Sequence, residues 1–196
     1  INQTNGSLDG TCLYSLEISS SNANYLYAAT FGNIYRTING GSNWTNVTNN
    51  LPVGNAAITG IAISGANPDQ VWVNFSGFSE SDKVYMTTNG GQTWTNFTGT
   101  LPNVPANCIE FQNGSNELLY VGTDLGVFYR DGTMNDWLPY NTGLPNVIID
   151  ELEVYYPGSK LRTATFGRGL WESDLQVSTI QALDASAFAL VYPPAS

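Results

Sequence analysis

One ten-residue stretch recurs along the chain and confines it to a repeat of short antiparallel strands. Tyr85-Met86-Thr87-Thr88-Asn89-Gly90-Gly91-Gln92-Thr93-Trp94 has a near copy at Tyr35-Arg36-Thr37-Ile38-Asn39-Gly40-Gly41-Ser42-Asn43-Trp44, and a worn copy runs from Tyr129 through Asp131-Gly132 to Trp137. In each, apolar and aromatic residues lead into a polar Asn-Gly or Asp-Gly turn, and the chain returns through a Trp. These dipeptides accept the positive φ that a tight hairpin turn needs. Two further markers keep the same order. Leu51-Pro52, Leu101-Pro102 and Leu144-Pro145 follow Trp44, Trp94 and Trp137 at a fixed interval, and strands ending in a Gly-containing turn begin at Tyr27, Trp72, Tyr120 and Arg162. Those starts lie 45, 48 and 42 residues apart, the period of a propeller or an array.

Each unit divides into four short strands, A to D. In the best-preserved unit the predicted strands are Ile58–Ile63, Gln70–Phe75, Lys83–Thr87 and Thr93–Phe97, joined by turns rich in Asn, Pro, Gly and Ser. Four antiparallel strands repeated radially make an all-β fold, the β-propeller, in which repetition protects the sheet edges. Residues 1–175 hold a lone D strand (Ile1–Ser7), three full blades and strands A, B and C of a last blade (Leu152–Val154, Leu161–Phe166, Gly169–Ser173). Residues 176–196 read as a linker and tail. The lone D strand can close a four-bladed ring, or it can belong to a blade of a larger ring whose start is missing. The second is favoured, because propellers run to about four to eight blades.

Composition removes several function classes. Six Lys and Arg against sixteen Asp and Glu give a net charge of −10, which disfavours nucleic acid and anionic membranes as partners. Histidine is absent, so His triads, His metal sites and a His general base are excluded. No apolar run is long enough to span a membrane. The start at Ile1 without a signal peptide fits a mature or truncated product. Cys12 and Cys108 form no CxxC pattern, fall out of register in the repeat, and are expected as buried strand residues. The few charges and many Asn, Thr, Ser, Gly and Tyr suit an extracellular β-protein. No cofactor or metal is implied.

The turn resembles the Asp-box, or BNR, repeat, Ser/Thr-x-Asp/Asn-x-Gly-x-Thr-Trp. Thr87, Asn89, Gly91, Thr93 and Trp94 match every position. Thr37, Asn39, Gly41 and Trp44 match all but the second Thr, and Trp137 marks the worn copy. Families with this repeat include sialidases, sortilin-type receptor propellers and xyloglucanase-like glycosidases. The resemblance implies a structural box on the rim, away from the ligand face, with Asn bonding the turn backbone, Gly taking positive φ and Trp packing between blades. Phe166-Gly167-Arg168-Gly169-Leu170-Trp171-Glu172 resembles the closing strand of propellers in secreted bacterial proteins. Ala187-Phe188-Ala189-Leu190-Val191-Tyr192-Pro193-Pro194-Ala195-Ser196 resembles the start of a type A C-terminal sorting domain, without the Asn usual in its Tyr-Pro-Asn-Pro-Ala opening. This implies export through the type IX secretion machinery, to the medium or the cell surface.

With the boxes in the C–D turns, the B–C loops form the opposite face. They offer Phe31, Phe78, Glu80, Asp82, Asp124, Phe166 and Arg168. Aromatics with carboxylates suit a glycan, and a carboxylate pair can hydrolyse a glycosidic bond. Arg36 and Arg130 sit at equivalent repeat positions and read as structural, leaving only Arg162 and Arg168 for a substrate carboxylate, too few for a sialidase. Asp150-Glu151-Leu152-Glu153 lacks the alternating ligands of a calcium loop and reads as the solvated start of a strand. The expected function is an extracellular binding or scaffold module for a glycan or protein, with no catalytic residue assigned. The alternatives are a xyloglucanase-like glycoside hydrolase and a sortilin-like protein-binding propeller.

Overall fold

Four four-stranded antiparallel sheets carry the repeat in a computed structural model that describes residues 8–54, 56–177 and 187–192. The first sheet comprises β1 (Leu13–Ile18), β2 (Leu26–Thr30), β3 (Ile34–Thr37) and β4 (Thr45–Asn46). The second comprises β5 (Ile58–Ile63), β6 (Val71–Phe75), β7 (Val84–Thr87) and β8 (Thr95–Asn96). β9 (Ala106–Phe111), β10 (Leu119–Thr123), β11 (Gly126–Arg130) and β12 (Leu138–Pro139) form the third. The fourth holds β13 (Ile149–Tyr155), β14 (Lys160–Thr165), β15 (Gly169–Asp174) and β16 (Ala189–Tyr192). In every sheet the strands lie in chain order, the arrangement of a β-propeller blade. The predicted lone D strand, Ile1–Ser7, lies outside the described residues.

The chain divides into two compact units, residues 1–106 and 107–196. In the first, Ile58, Ile61, Ile63, Val73 and Phe75 of the second sheet pack on Tyr27, Ala29, Ile34, Val47 and Leu51 of the first. In the second unit, Ile149, Leu152, Val154 and Leu161 pack on Leu118, Tyr120, Val127, Tyr140, Leu144 and Val147. Leu51 and Leu144 of the Leu-Pro markers are thus core residues, and Leu101 of the remaining marker is buried as well. The A strands repeat a register shift near their start, between Leu13 and Ser15, Ile58 and Gly60, and Ile149 and Glu151. The residue gained there restores the inward phase of the apolar side chains that follow.

The D strand β8 is shorter than the predicted Thr93–Phe97, and just beyond both β4 and β8 side chains share in the backbone pairing. Asn46 and Asn96 Oδ1 accept the N–H of Thr48 and Thr98, both at 2.9 Å. The Thr98 hydroxyl then accepts the N–H of Lys83 at 3.0 Å and of Val84 at 3.2 Å, and Thr48 accepts that of Ile34 at 3.0 Å.

Two differences from the sequence reading concern residues at the edges of the repeat. Cys12 is exposed, ahead of β1, where Asp9 accepts the N–H and hydroxyl of Thr11 and turns the chain. Cys108 is buried on β9. The last sheet also has a fourth strand, taken from the segment read as tail. β16 pairs with β15, Phe188 joins the core of the second unit, and its N–H donates to Thr142 O at 2.7 Å. Pro193 to Ser196, the rest of the sorting-type motif, lie outside the described residues.

Glu17 on β1 makes the first unit sensitive to pH. Burial raises its carboxyl from 4.5 to about 7. An acid with a raised folded-state pKa binds its proton more tightly folded than unfolded, so its contribution is full below about pH 4.5 and is lost as pH rises through about 7. Urea unfolding between pH 5 and 8 is expected to show stability falling with pH, and Glu17→Gln to flatten that slope.

Candidate functional site

Each box is a self-contained turn. Thr87 Oγ1 donates to Asn89 Oδ1 at 2.8 Å and accepts the N–H of Gly91 at 3.0 Å, while Asn89 Oδ1 accepts the N–H of Thr93 at 3.0 Å. The first box repeats this with Thr37, Asn39, Gly41 and Asn43. Gly90 and Gly91 take φ of 65° and 85°, values an L side chain rarely adopts. The worn copy reaches a similar turn differently: Asp131 Oδ1 accepts the N–H and hydroxyl of Thr133, and Asp136 Oδ1 the N–H of Trp137.

Trp94 ties its sheet to the one before it. Its indole donates to Val47 O at 2.9 Å, and its backbone exchanges two bonds with the Asn50 side chain. Arg36 belongs to the same seam. It pairs with Asp69 and lies over the rings of Tyr25 and Tyr27. Arg130 is partly buried, and burial lowers its pKa.

The B–C loops hold the predicted ligand-face residues. The β6–β7 loop, residues 76–83, is the longest and carries three of them: Phe78, Glu80 and Asp82. A pocket of about 260 Å³ opens there, between Pro52, Ala56 and Phe75 on one side and Phe78, Ser79 and Asp82 on the other. Phe78 stands out, 76% exposed. Asp82 is fixed by hydroxyls: Tyr85 donates at 2.6 Å, Ser79 at 2.9 Å and Ser81 at 3.3 Å. The Tyr85 bond, aided by those from the serines and by Lys83, outweighs desolvation and holds its carboxyl below the usual range. Glu80 is exposed on the same loop and does not line the pocket.

Lys83 fixes the loop from beneath. Its side chain is 1% exposed and the ammonium donates to Gly77 O at 2.6 Å. Gly77, at φ 96°, turns the chain out of β6. The sequence reading passed over Lys83, Ser79 and Tyr85. The available signal was a lysine at a strand start inside a loop about five residues longer than its counterpart after Thr30.

The other candidates do not line this pocket. Phe31 packs against Tyr14, ring centroids 6.2 Å apart. In the second unit Asp124 accepts a bond from Asn107 Nδ2 at 3.0 Å. Phe166 and Arg168 are exposed on the β14–β15 turn, where Arg168 O accepts the Trp171 indole N–H at 2.9 Å. Among the described residues that line the pocket only Asp82 is ionisable. It provides an ionised acceptor beside an aromatic ring, without the second carboxylate that glycoside hydrolysis uses.

Comparison with solved structures places this architecture among known propellers. The chain is similar to an auxiliary nutrient binding protein from Bacteroides thetaiotaomicron, with a TM-score of 0.70 and 15% identity over 93% of this chain and 42% of that one. It is similar to an ancestral GH74 enzyme, with a TM-score of 0.64 and 16% identity over 94% of this chain and 26% of that one. A third is the β-propeller domain of Cps50 (Swd1) from Myceliophteria thermophila, with a TM-score of 0.70 and 16% identity over 95% of this chain and 60% of that one. No family model and no curated protein matches the sequence. The chain thus spans between about a quarter and six tenths of these propellers. It is all-β and built of β-propeller blades; at these identities the likeness concerns the fold alone.

Proposed function

We propose that this chain is the binding part of a secreted or cell-surface protein and takes the end of a glycan in the β6–β7 pocket. The observation that carries the reading is the pairing of exposed Phe78 with ionised, hydroxyl-braced Asp82 at one opening. A sugar ring stacks its C–H face on an aromatic and offers hydroxyls to a carboxylate. The volume lies just under the ~300–1,000 Å³ usual for ligand sites, which suits a terminal sugar. A similar fold serves a protein described as nutrient-binding. The lone ionisable group favours binding over turnover. Export by the type IX machinery rests on the sequence motif at the C-terminus.

The test is a glycan array followed by calorimetry on the best ligand. Phe78→Ala is expected to weaken binding about tenfold or more, and Asp82→Asn to weaken it by a similar factor. Phe166→Ala, on another loop, should leave it unchanged. Failure of every glycan to bind, or indifference to Phe78→Ala, refutes the reading. Release of reducing ends from a bound glycan would establish the glycoside hydrolase alternative instead.

A further inference from the structure

The β1–β4 sheet presents an apolar face at positions that are core elsewhere in the repeat. By strand register, Leu13, Leu16 and Ile18 correspond to Ile58, Ile61 and Ile63 in the second sheet and to Ile149, Leu152 and Val154 in the fourth. Those six are buried against the sheet that precedes them in the chain. Leu13, Leu16 and Ile18 are 41%, 42% and 51% exposed.

The box of the same sheet shows the same lack. Gly91 of the second box lies so close to the preceding sheet that a Cβ would stand 2.8 Å from Val47, whereas a Cβ on Gly41 meets nothing nearer than its own Trp44 at 3.8 Å. The Trp94 indole donates to Val47 O; the Trp44 indole nitrogen is buried and has no hydrogen-bond partner among the described residues. Three apolar side chains, an open glycine and an orphaned indole N–H therefore occur at the positions that one neighbouring sheet satisfies in the next repeat.

We propose that this face docks a further four-stranded blade of the same repeat, placed ahead of β1 in the polypeptide, with an aromatic at the position of Tyr27 and a backbone carbonyl at the position of Val47 to receive the Trp44 indole. In both sheet pairs that define it, the covering sheet is the one that precedes in the chain. A second copy of this chain offers no such face from its last sheet. There the position of Tyr27 is held by Arg162, stacked on Tyr155 and 3.6 Å from Glu172.

The first test compares Leu16→Lys with Ile61→Lys in the 196-residue chain by urea unfolding. Leu16→Lys should leave the midpoint nearly unchanged and Ile61→Lys should lower it strongly. An equal loss from both would show that the face is already covered, and would overturn the proposal. The second test replaces residues 1–7 by an added copy of residues 8–50 carrying Leu13→Ser, Leu16→Lys and Ile18→Lys in the copy alone. The added blade should unfold together with its neighbour, raise the m-value, and slow exchange of the Trp44 indole proton at least tenfold. A copy that remains protease-sensitive while Trp44 exchange is unchanged overturns the proposal. So does a concentration-dependent dimer of the 196-residue chain that Leu16→Lys dissolves, since the occupant would then be a second copy.

Discussion

Replacing Trp94 by Ala is expected to destabilise the first unit by about 3–5 kcal/mol, the range for deleting a large buried aromatic. The side chain is buried in the cluster that joins the first two sheets, so its loss opens a cavity at a seam rather than within one sheet. It also removes the indole donor to Val47 O. Trp94→Phe separates the two effects. It keeps much of the apolar volume and drops the hydrogen bond, and should cost clearly less than the Ala variant, with about 1 kcal/mol attributable to the bond. Urea unfolding checks both, read by amide exchange in β5 and β6 so that the first unit is followed directly. A loss under 1 kcal/mol for Trp94→Ala would mean that the box holds its own turn but not the seam.

The box was readable in the sequence because its physics is local. Thr87, Asn89 and Gly91 act on backbone groups within a few residues, so spacing alone specifies the turn. The worn copy departs from the motif yet turns at a similar place, since Asp131 and Asp136 supply the same kind of acceptor in another register. The A, B and C strands were readable for a related reason: their apolar alternation repeats at one interval.

The pocket was readable only as a set of loop residues. Phe78 and Asp82 come from the predicted B–C loop, but Pro52 and Ala56 arrive from the connection after the first box, and only tertiary folding brings them together. Lys83 was hidden because a buried lysine looks, in sequence, like any charged residue at the start of a strand. Cys12 misled because its neighbourhood resembles a strand in composition, whereas a carboxylate turn at Asp9 keeps it outside β1.

Truncation at residue 187 or the single change Phe188→Ala measures how much the last sheet depends on its distant fourth strand. Phe188 is buried among Tyr140, Leu144 and Val147, with its ring edge-on to Tyr140 at a centroid distance of 5.6 Å. The backbone there fits against Gly143, where a Cβ would stand 2.5 Å from Phe188 O. Phe188→Ala is therefore expected to cost the second unit about 3–5 kcal/mol, and truncation at least as much, since it also strips β16 from the edge of β15. A detachable tail would instead leave the unfolding midpoint where it was. Amide exchange in β14 and β15, at rising urea, distinguishes the two. The loss arises because no turn box follows β15: the strand that completes this sheet comes from beyond residue 186, and the aromatic anchor at Phe188 holds it in place.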